Sequence, residues 1–267
     1  MSSESWSEAL AAPIFESLRP SLARLASGAF PRLEQLNALA GPSVLSGGGA
    51  PIRFVPPATG REAAGSYEMR IFESGEVQTR PDSWHDLFNA LVWLAFPRTK
   101  AVLNRHHRAE IVAHRGAPQR GTARDVLTLF DEGGVVVGSA DAGLSELLIR
   151  SRWRELFWTR REDVRQSIRF HIFGHAIYEK ALAPYKGVTA KALIVELPAG
   201  LLGAPVDARL AELDARAALH FSRAEARAST RNLPPLPILG IPGWEPANER
   251  EEYYNDASQF RPGRAGA

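Results

Sequence analysis

The chain contains no cysteine. That absence excludes disulfides, thiolate nucleophiles, cysteine-ligated zinc and ordinary iron–sulfur clusters. Lysine is scarce as well. Of the 32 basic residues only four are lysines (Lys100, Lys180, Lys186 and Lys191), so 28 are arginines. Long apolar runs are missing. The longest, Leu87 to Phe96, is interrupted by Asn89, whereas a membrane-spanning helix needs ~20 apolar residues. Near the N-terminus, Glu4, Glu8 and Glu16 break up any apolar stretch, and there is no basic lead-in. It does not read as a secretory signal, and a cytoplasmic location is expected. Three reaction signatures are also absent: a phosphate-cradling glycine loop, a dinucleotide fingerprint and a Gly-x-Ser-x-Gly elbow.

The 267 residues that are there, 45% hydrophobic and 23% charged, suit a globular protein with one large or two small domains. The net charge of +2 names no partner, but its distribution is uneven. Between Arg98 and Arg124 seven Lys or Arg face one acid, Glu110, and His106, His107 and His114 fall in the same stretch. Such an excess can hold phosphate or nucleic acid. A solvated face in an arginine-biased sequence accounts for it equally well.

The expected fold class is α+β, mostly helical with short β-hairpins. Residues 1–40 read as short helices divided by Pro13, Pro20 and Pro31. Gly41 to Pro57, with the run Gly47–Gly48–Gly49, reads as a linker or surface loop. Two hairpins are expected, one from Tyr67–Phe72 and Val77–Arg80, the other from Val126–Phe130 and Val135–Val137. Ala192–Leu197 reads as a further strand. Helical spacing covers 84–96, 98–112, 141–158, 160–182 and 206–228, with a capping box at Thr159–Glu162. Leu233 to Trp244 is too rich in proline for a regular helix and is expected to run extended.

Chemistry concentrates on a few of these segments. His85, Asn89 and Trp93 share one stripe of an otherwise apolar helix, where buried polar groups must find partners. Lys100, Asn104 and Arg108 share a stripe of the next, and Asn104 is favoured there over His106 or His107. His171, His175 and Glu179 follow at intervals of four, a spacing that lets two histidines reach one metal. The glutamate of the zinc-protease helix is missing, since Ile172 follows His171. Gly174 suggests a close backbone approach or a ligand. Asp131 and Glu132 sit where turn chemistry alone would put acids, yet two carboxylates at a strand end also suit a cation or a general base.

Several of these residues resemble one bacterial family. They are Tyr67–Glu–x–Arg–Ile, Thr79–Arg80, Trp84–His–Asp–Leu–Phe–Asn–Ala–Leu–Val–Trp93, Phe96–Pro–Arg–Thr–Lys100, Asn104 and Arg124–Asp125. Leu127–Thr–Leu–Phe–Asp–Glu–Gly133, Phe173–Gly–His–Ala176, Glu179 and the late Leu–Gly–Ile–Pro–Gly–Trp244 belong with them. The chain is similar over about residues 60–262 to the family called domain of unknown function 3025. The resemblance implies one continuous domain and a bacterial source, and no activity. Residues 1–60 are then an accessory segment with its linker, and 61–267 the domain.

The functional expectation is a metal-dependent hydrolase acting on a phosphate-containing substrate. His85, Asp86, Asp131 and Glu132 are its candidate catalytic residues. His175, Glu179 and His85 are candidate ligands of a divalent metal. Lys100, Asn104, Arg120 and Arg124 are candidate substrate contacts. The alternative is a non-catalytic module binding nucleic acid or protein, in which the His, Asp and Asn side chains form a structural hydrogen-bond network.

Overall fold

The computed structural model describes residues 10–25, 30–58, 66–114 and 121–263. It has a mixed α+β architecture with two small sheets. In chain order, helix α1 spans Leu33–Ala40, strand β1 Arg53–Val55, α2 Ser66–Ser74 and β2 Glu76–Gln78. Two adjoining helices follow, α3 (Trp84–Ala95) and α4 (Pro97–Ala113), then α5 (Thr122–Gly133), which runs straight into β3 (Gly134–Ser139). After α6 (Ala142–Ile149) come α7 (Arg161–Ser167), β4 (Ile168–Ile172), α8 (His175–Ala181), β5 (Thr189–Glu196), α9 (Val206–Ser222) and β6 (Pro235–Pro237). Among the described residues no helix is long and apolar enough to cross a membrane.

The main sheet has the order β4–β3–β5–β6, with β3 antiparallel to β4 and parallel to β5. β3 is buried along its whole length. Val135, Val136 and Val137 suit such a strand, because β-branched side chains pack well on a pleated surface covered on both faces. β1 and β2 form a separate parallel pair, with Phe54 opposite Val77. The core also takes in the N-terminal residues, where the Phe15 ring stacks on Phe88 and Tyr178 at 5.9 and 5.7 Å.

Neither expected hairpin forms. Tyr67–Phe72 belongs to α2, and Gly75 is what ends that helix. Its φ of +73° and its N–H bond back to the Ile71 carbonyl make it a left-handed helix cap. Val126–Phe130 belongs to α5, where Val126, Leu127 and Phe130 are the buried stripe of an amphipathic helix. The helix expected over 160–182 is broken in the opposite sense. Ile168–Arg–Phe–His–Ile172 becomes β4 because the edge of buried β3 offers it a ladder, and the helix resumes only at His175. The capping box at Thr159 is absent as well. A π-helical turn spans Glu155–Thr159, and α7 starts after Arg160 without a side-chain cap. Ser83, by contrast, caps α3 by accepting from the Asp86 N–H.

The Gly41–Pro57 stretch is no flexible linker: it packs against the helices and ends in β1. A Cβ on Gly47 would lie 2.5 Å from the Arg105 backbone nitrogen, and one on Gly48 2.2 Å from the Phe72 carbonyl oxygen. Only glycine permits that approach to α4 and α2.

Asp214, on α9, caps α4 from outside. Its carboxylate accepts from the N–H groups of Arg98 and Thr99 at 3.0 and 2.8 Å and from the Thr99 hydroxyl at 2.7 Å. Asp214→Ala leaves the buried Thr99 N–H and the Arg98 N–H without this acceptor, while the Thr99 hydroxyl keeps the Asp214 backbone carbonyl at 3.1 Å. An expected loss of ~2–4 kcal/mol follows, readable as a lower urea midpoint at unchanged slope.

His171 is enclosed in the core, with Nδ1 3.0 Å from the Ser17 hydroxyl. Burial first, then Arg209 and Arg169, push its pKa down to about 3. The unfolded chain protonates this histidine near pH ~6.5. Below that pH the unfolded state holds a proton that the folded state does not. Stability therefore falls by ~1.4 kcal/mol per pH unit as pH drops toward the folded value. Chemical denaturation of His171→Gln at several pH values should show a slope smaller by about one proton.

Candidate metal centre

Three helices meet at the site. α3 brings His85, α5 brings Asp131 and Glu132, and α8 brings His175 and Glu179. Gly174 makes the meeting possible. A Cβ there would lie 2.5 Å from the Glu132 carbonyl oxygen and 2.5 Å from the Gly134 nitrogen. The close backbone approach expected at Gly174 is thus the crossing that sets His175 against the end of α5.

His85 and His175 turn their Nε2 atoms toward each other, 3.1 Å apart, with the rings nearly perpendicular. Glu132 Oε2 lies 3.5 Å from His175 Nε2. One potential ligand atom from each of His85, Glu132 and His175 falls within 4.8 Å of the other two. Atoms bound at ~2.0–2.1 Å to one tetrahedral ion stand about 3.4 Å apart, so these spacings fit a shared cation.

Each histidine also has a carboxylate behind it. His85 Nδ1 is 3.1 Å from Glu179 Oε2, and His175 Nδ1 is 3.9 Å from Asp131 Oδ2. The Glu179 contact is a hydrogen bond and fixes the His85 tautomer that leaves Nε2 free to bind metal. The Asp131 oxygen is beyond hydrogen-bond length, and the buried His175 Nδ1 has no hydrogen-bond partner among the described residues. Burial above all pushes the His175 pKa down to about 4, so its imidazole is neutral near pH 7, as a ligand must be. The neighbouring acids differ. Burial alone would raise Asp131, but Lys100, 2.7 Å away, outweighs it and holds this carboxyl below the usual range. Glu132 is raised, first by burial and then by the Asp131 charge. A bound cation would relieve that repulsion.

The centre opens into a cavity of about 600 Å³. Tyr67, Arg80, His107 and Arg124 are among its lining residues. Arg124, Thr128, Asp131 and Glu132 form one stripe of α5, and Arg124 has no ion pair among the described residues.

The remaining expected site residues have other partners. Glu179 stands behind His85 rather than beside Glu132. Asp86 spends both oxygens on Arg80, at 2.8 Å to Nε and 2.8 Å to Nη2. It orients that guanidinium and is no free base. Lys100 is buried, bonded to Asp131 and to Asn89 Oδ1, and cannot reach a substrate in the cavity. Asn104 lies behind the wall, accepting from Gly47 N–H and donating to the Glu68 backbone and carboxylate oxygens. His107 lines the cavity instead, contrary to the preference for Asn104, and its buried Nδ1 has no partner among the described residues. His171 points away, into the core. Arg120 lies outside the described residues.

A family model described as "Protein of unknown function (DUF3025)" matches residues 52–264. The chain belongs to the DUF3025 family. No curated protein and no solved structure matches it. Every residue of the centre, from Tyr67 to Glu179, falls inside the DUF3025 match, as does the whole main sheet. The Phe15 and Ser17 contacts to the core come from before it.

Tyr67 and Arg80 of the cavity wall enter the sequence analysis only through the family resemblance and not as candidate site residues. Tyr67 was hidden by the strand assignment of its segment. Arg80 carried no local signal, because its partner Asp86 lies on the far side of a turn.

Proposed function

We propose that this protein is a metal-dependent hydrolase acting on a phosphate-containing substrate, in a bacterial cytoplasm. One observation carries the reading. Two imidazole Nε2 atoms stand 3.1 Å apart, a carboxylate oxygen lies 3.5 Å from one of them, and the other ring is hydrogen-bonded through Nδ1 to a second carboxylate. A divalent ion held there supplies a Lewis acid and a water of lowered pKa. His85, His175 and Glu132 would hold it, while Glu179 orients the His85 ring. Arg124 is eight residues before Glu132 on α5, about 12 Å along the helix axis. Its guanidinium is suited to an anionic part of the substrate remote from the ion.

A second reading rests on the same 3.1 Å separation, which is also a hydrogen-bond length. Here the cluster is metal-free and structural, in a module that binds nucleic acid or protein.

The test is hydrolysis of bis(p-nitrophenyl) phosphate and p-nitrophenyl phosphate by chelator-treated protein, before and after Mn²⁺ or Zn²⁺ is restored. The hydrolase reading expects turnover only with metal, lost in His85→Ala. Absence of turnover in the metal-loaded protein, with nucleic-acid binding that falls steeply with salt, would favour the second.

A further inference from the structure

A chain of hydrogen bonds runs from the buried ion pair to the cavity wall, and its direction is forced. The Lys100 ammonium is buried and lies 2.9 Å from Asn89 Oδ1. An ammonium only donates, so the amide oxygen must face it. The amide NH2 then faces the other way, and Nδ2 lies 2.9 Å from the Tyr67 hydroxyl. An NH2 also only donates, so that hydroxyl oxygen is the acceptor. The phenolic proton must therefore point elsewhere. Among the described residues Tyr67 has no other hydrogen-bond partner, and it lines the same cavity as His85, Glu132 and His175.

We infer that the Tyr67 hydroxyl donates a hydrogen bond to an oxyanion of the substrate, with Asn89 and Lys100 as the positioning residues that aim its proton into the cavity. This rests on the phosphate-hydrolase reading and adds to it a substrate contact that no metal ligand supplies. Burial first, then the charge on Glu68, keep the phenol above its ordinary range, so the proton stays in place across the working pH range. A donor fixed before the substrate arrives is the arrangement that stabilises charge developing on a phosphoryl oxygen.

Asn89→Asp provides a specific test. A carboxylate at 89 still accepts from Lys100 but cannot donate to Tyr67, so the phenol turns and donates inward. The cavity loses its donor although the tyrosine remains. Inorganic phosphate is the probe, titrated by calorimetry into full-length protein supplemented with Mn²⁺, with metal content and melting temperature measured in parallel. Tyr67→Phe is expected to weaken phosphate binding about 10- to 100-fold, the range of one hydrogen bond to a charged group. Asn89→Asp should produce at least a similar loss, since its added charge on the cavity wall also repels phosphate, and in the Tyr67→Phe background the same substitution should cost less than in the wild type. A merely structural tyrosine would lower the melting temperature and leave phosphate affinity alone.

Wild-type affinity in folded Tyr67→Phe overturns the inference and leaves the hydrolase reading standing. Wild-type affinity in Asn89→Asp overturns the aiming role of Asn89. If Asn89→Asp does not fold, Tyr67→Phe decides alone. If metal-loaded wild-type protein binds no phosphate, the phosphate reading falls and the inference falls with it.

Discussion

Lys100→Met is expected to remove about 3–5 kcal/mol of folding stability, the usual result of breaking a buried ion pair by deleting one partner. Its ammonium has a side-chain exposure of 6% and lies 2.7 Å from Asp131, whose side chain is 18% exposed. It also bonds Asn89 and sits 5.3 Å from the centre of the Trp93 ring. Methionine fills much the same volume, so little of the loss comes from packing. Most comes from an Asp131 carboxylate stranded without its counter-charge and an Asn89 oxygen without its donor. Adding Asp131→Asn to Lys100→Met removes the stranded charge and should recover a substantial part of the loss. Urea denaturation of the two single variants and the double variant measures the coupling directly. If Lys100→Met matched the wild type, the pair would not be the anchor on which the cavity wall is built.

Loss of metal should be the other large effect, and its ranking matters more than its size. His85→Ala, His175→Ala and Glu132→Ala each delete a proposed ligand atom. Glu179→Gln leaves all three ligands and removes only the carboxylate on His85 Nδ1, 3.1 Å away. Substitutions behind the ligands cost roughly 10–100-fold in affinity, so Glu179→Gln should fall in that range and the three alanine variants beyond it. Competitive titration against a chromophoric chelator gives all four constants. Asp86→Asn serves as the contrast. Its carboxylate is occupied by Arg80, so metal affinity should stay near that of the wild type. A loss in Asp86→Asn equal to that in His175→Ala would place the ion elsewhere.

Parts of this centre are legible in the sequence because they depend on short spacings within one helix. His85 and Asn89, and likewise His175 and Glu179, are four apart, and each pair faces one way on its helix. The Asp131–Glu132 pair is legible as an acidic site but not as a helical one. Val126–Leu–Thr–Leu–Phe130 is a short run of β-favouring residues before a Gly–Gly turn signal and so suggests a strand, and the difference lies in tertiary packing, where Val126, Leu127 and Phe130 are all buried on one face. His171 fails for the opposite reason. Its segment keeps a four-residue period with His175, yet the open edge of β3 recruits it as β4.

The roles of Asp86, Lys100 and Asn104 depend on contacts between residues the local spacing does not relate. Arg80 takes up both Asp86 oxygens. Asp131 and Asn89 take up the Lys100 ammonium. Glu68 and the Gly47 backbone take up the Asn104 amide. Buried polar groups must be satisfied, and the satisfying partner is what separates a site residue from a supporting one. Tyr67 is the converse. Gly75 imitates a hairpin turn and acts as a helix cap, so the strand assignment hid a side chain that faces the cavity.

The central claim is that His85, His175 and Glu132 hold one divalent ion. Crystals of untagged protein grown with Zn²⁺ or Mn²⁺, measured at the metal absorption edge, test it most directly. The account expects one anomalous peak about 2.0–2.2 Å from Nε2 of both histidines and from a Glu132 oxygen, absent in His175→Ala. A wild-type map with no peak there, and the two imidazoles still hydrogen-bonded Nε2 to Nε2, would contradict it.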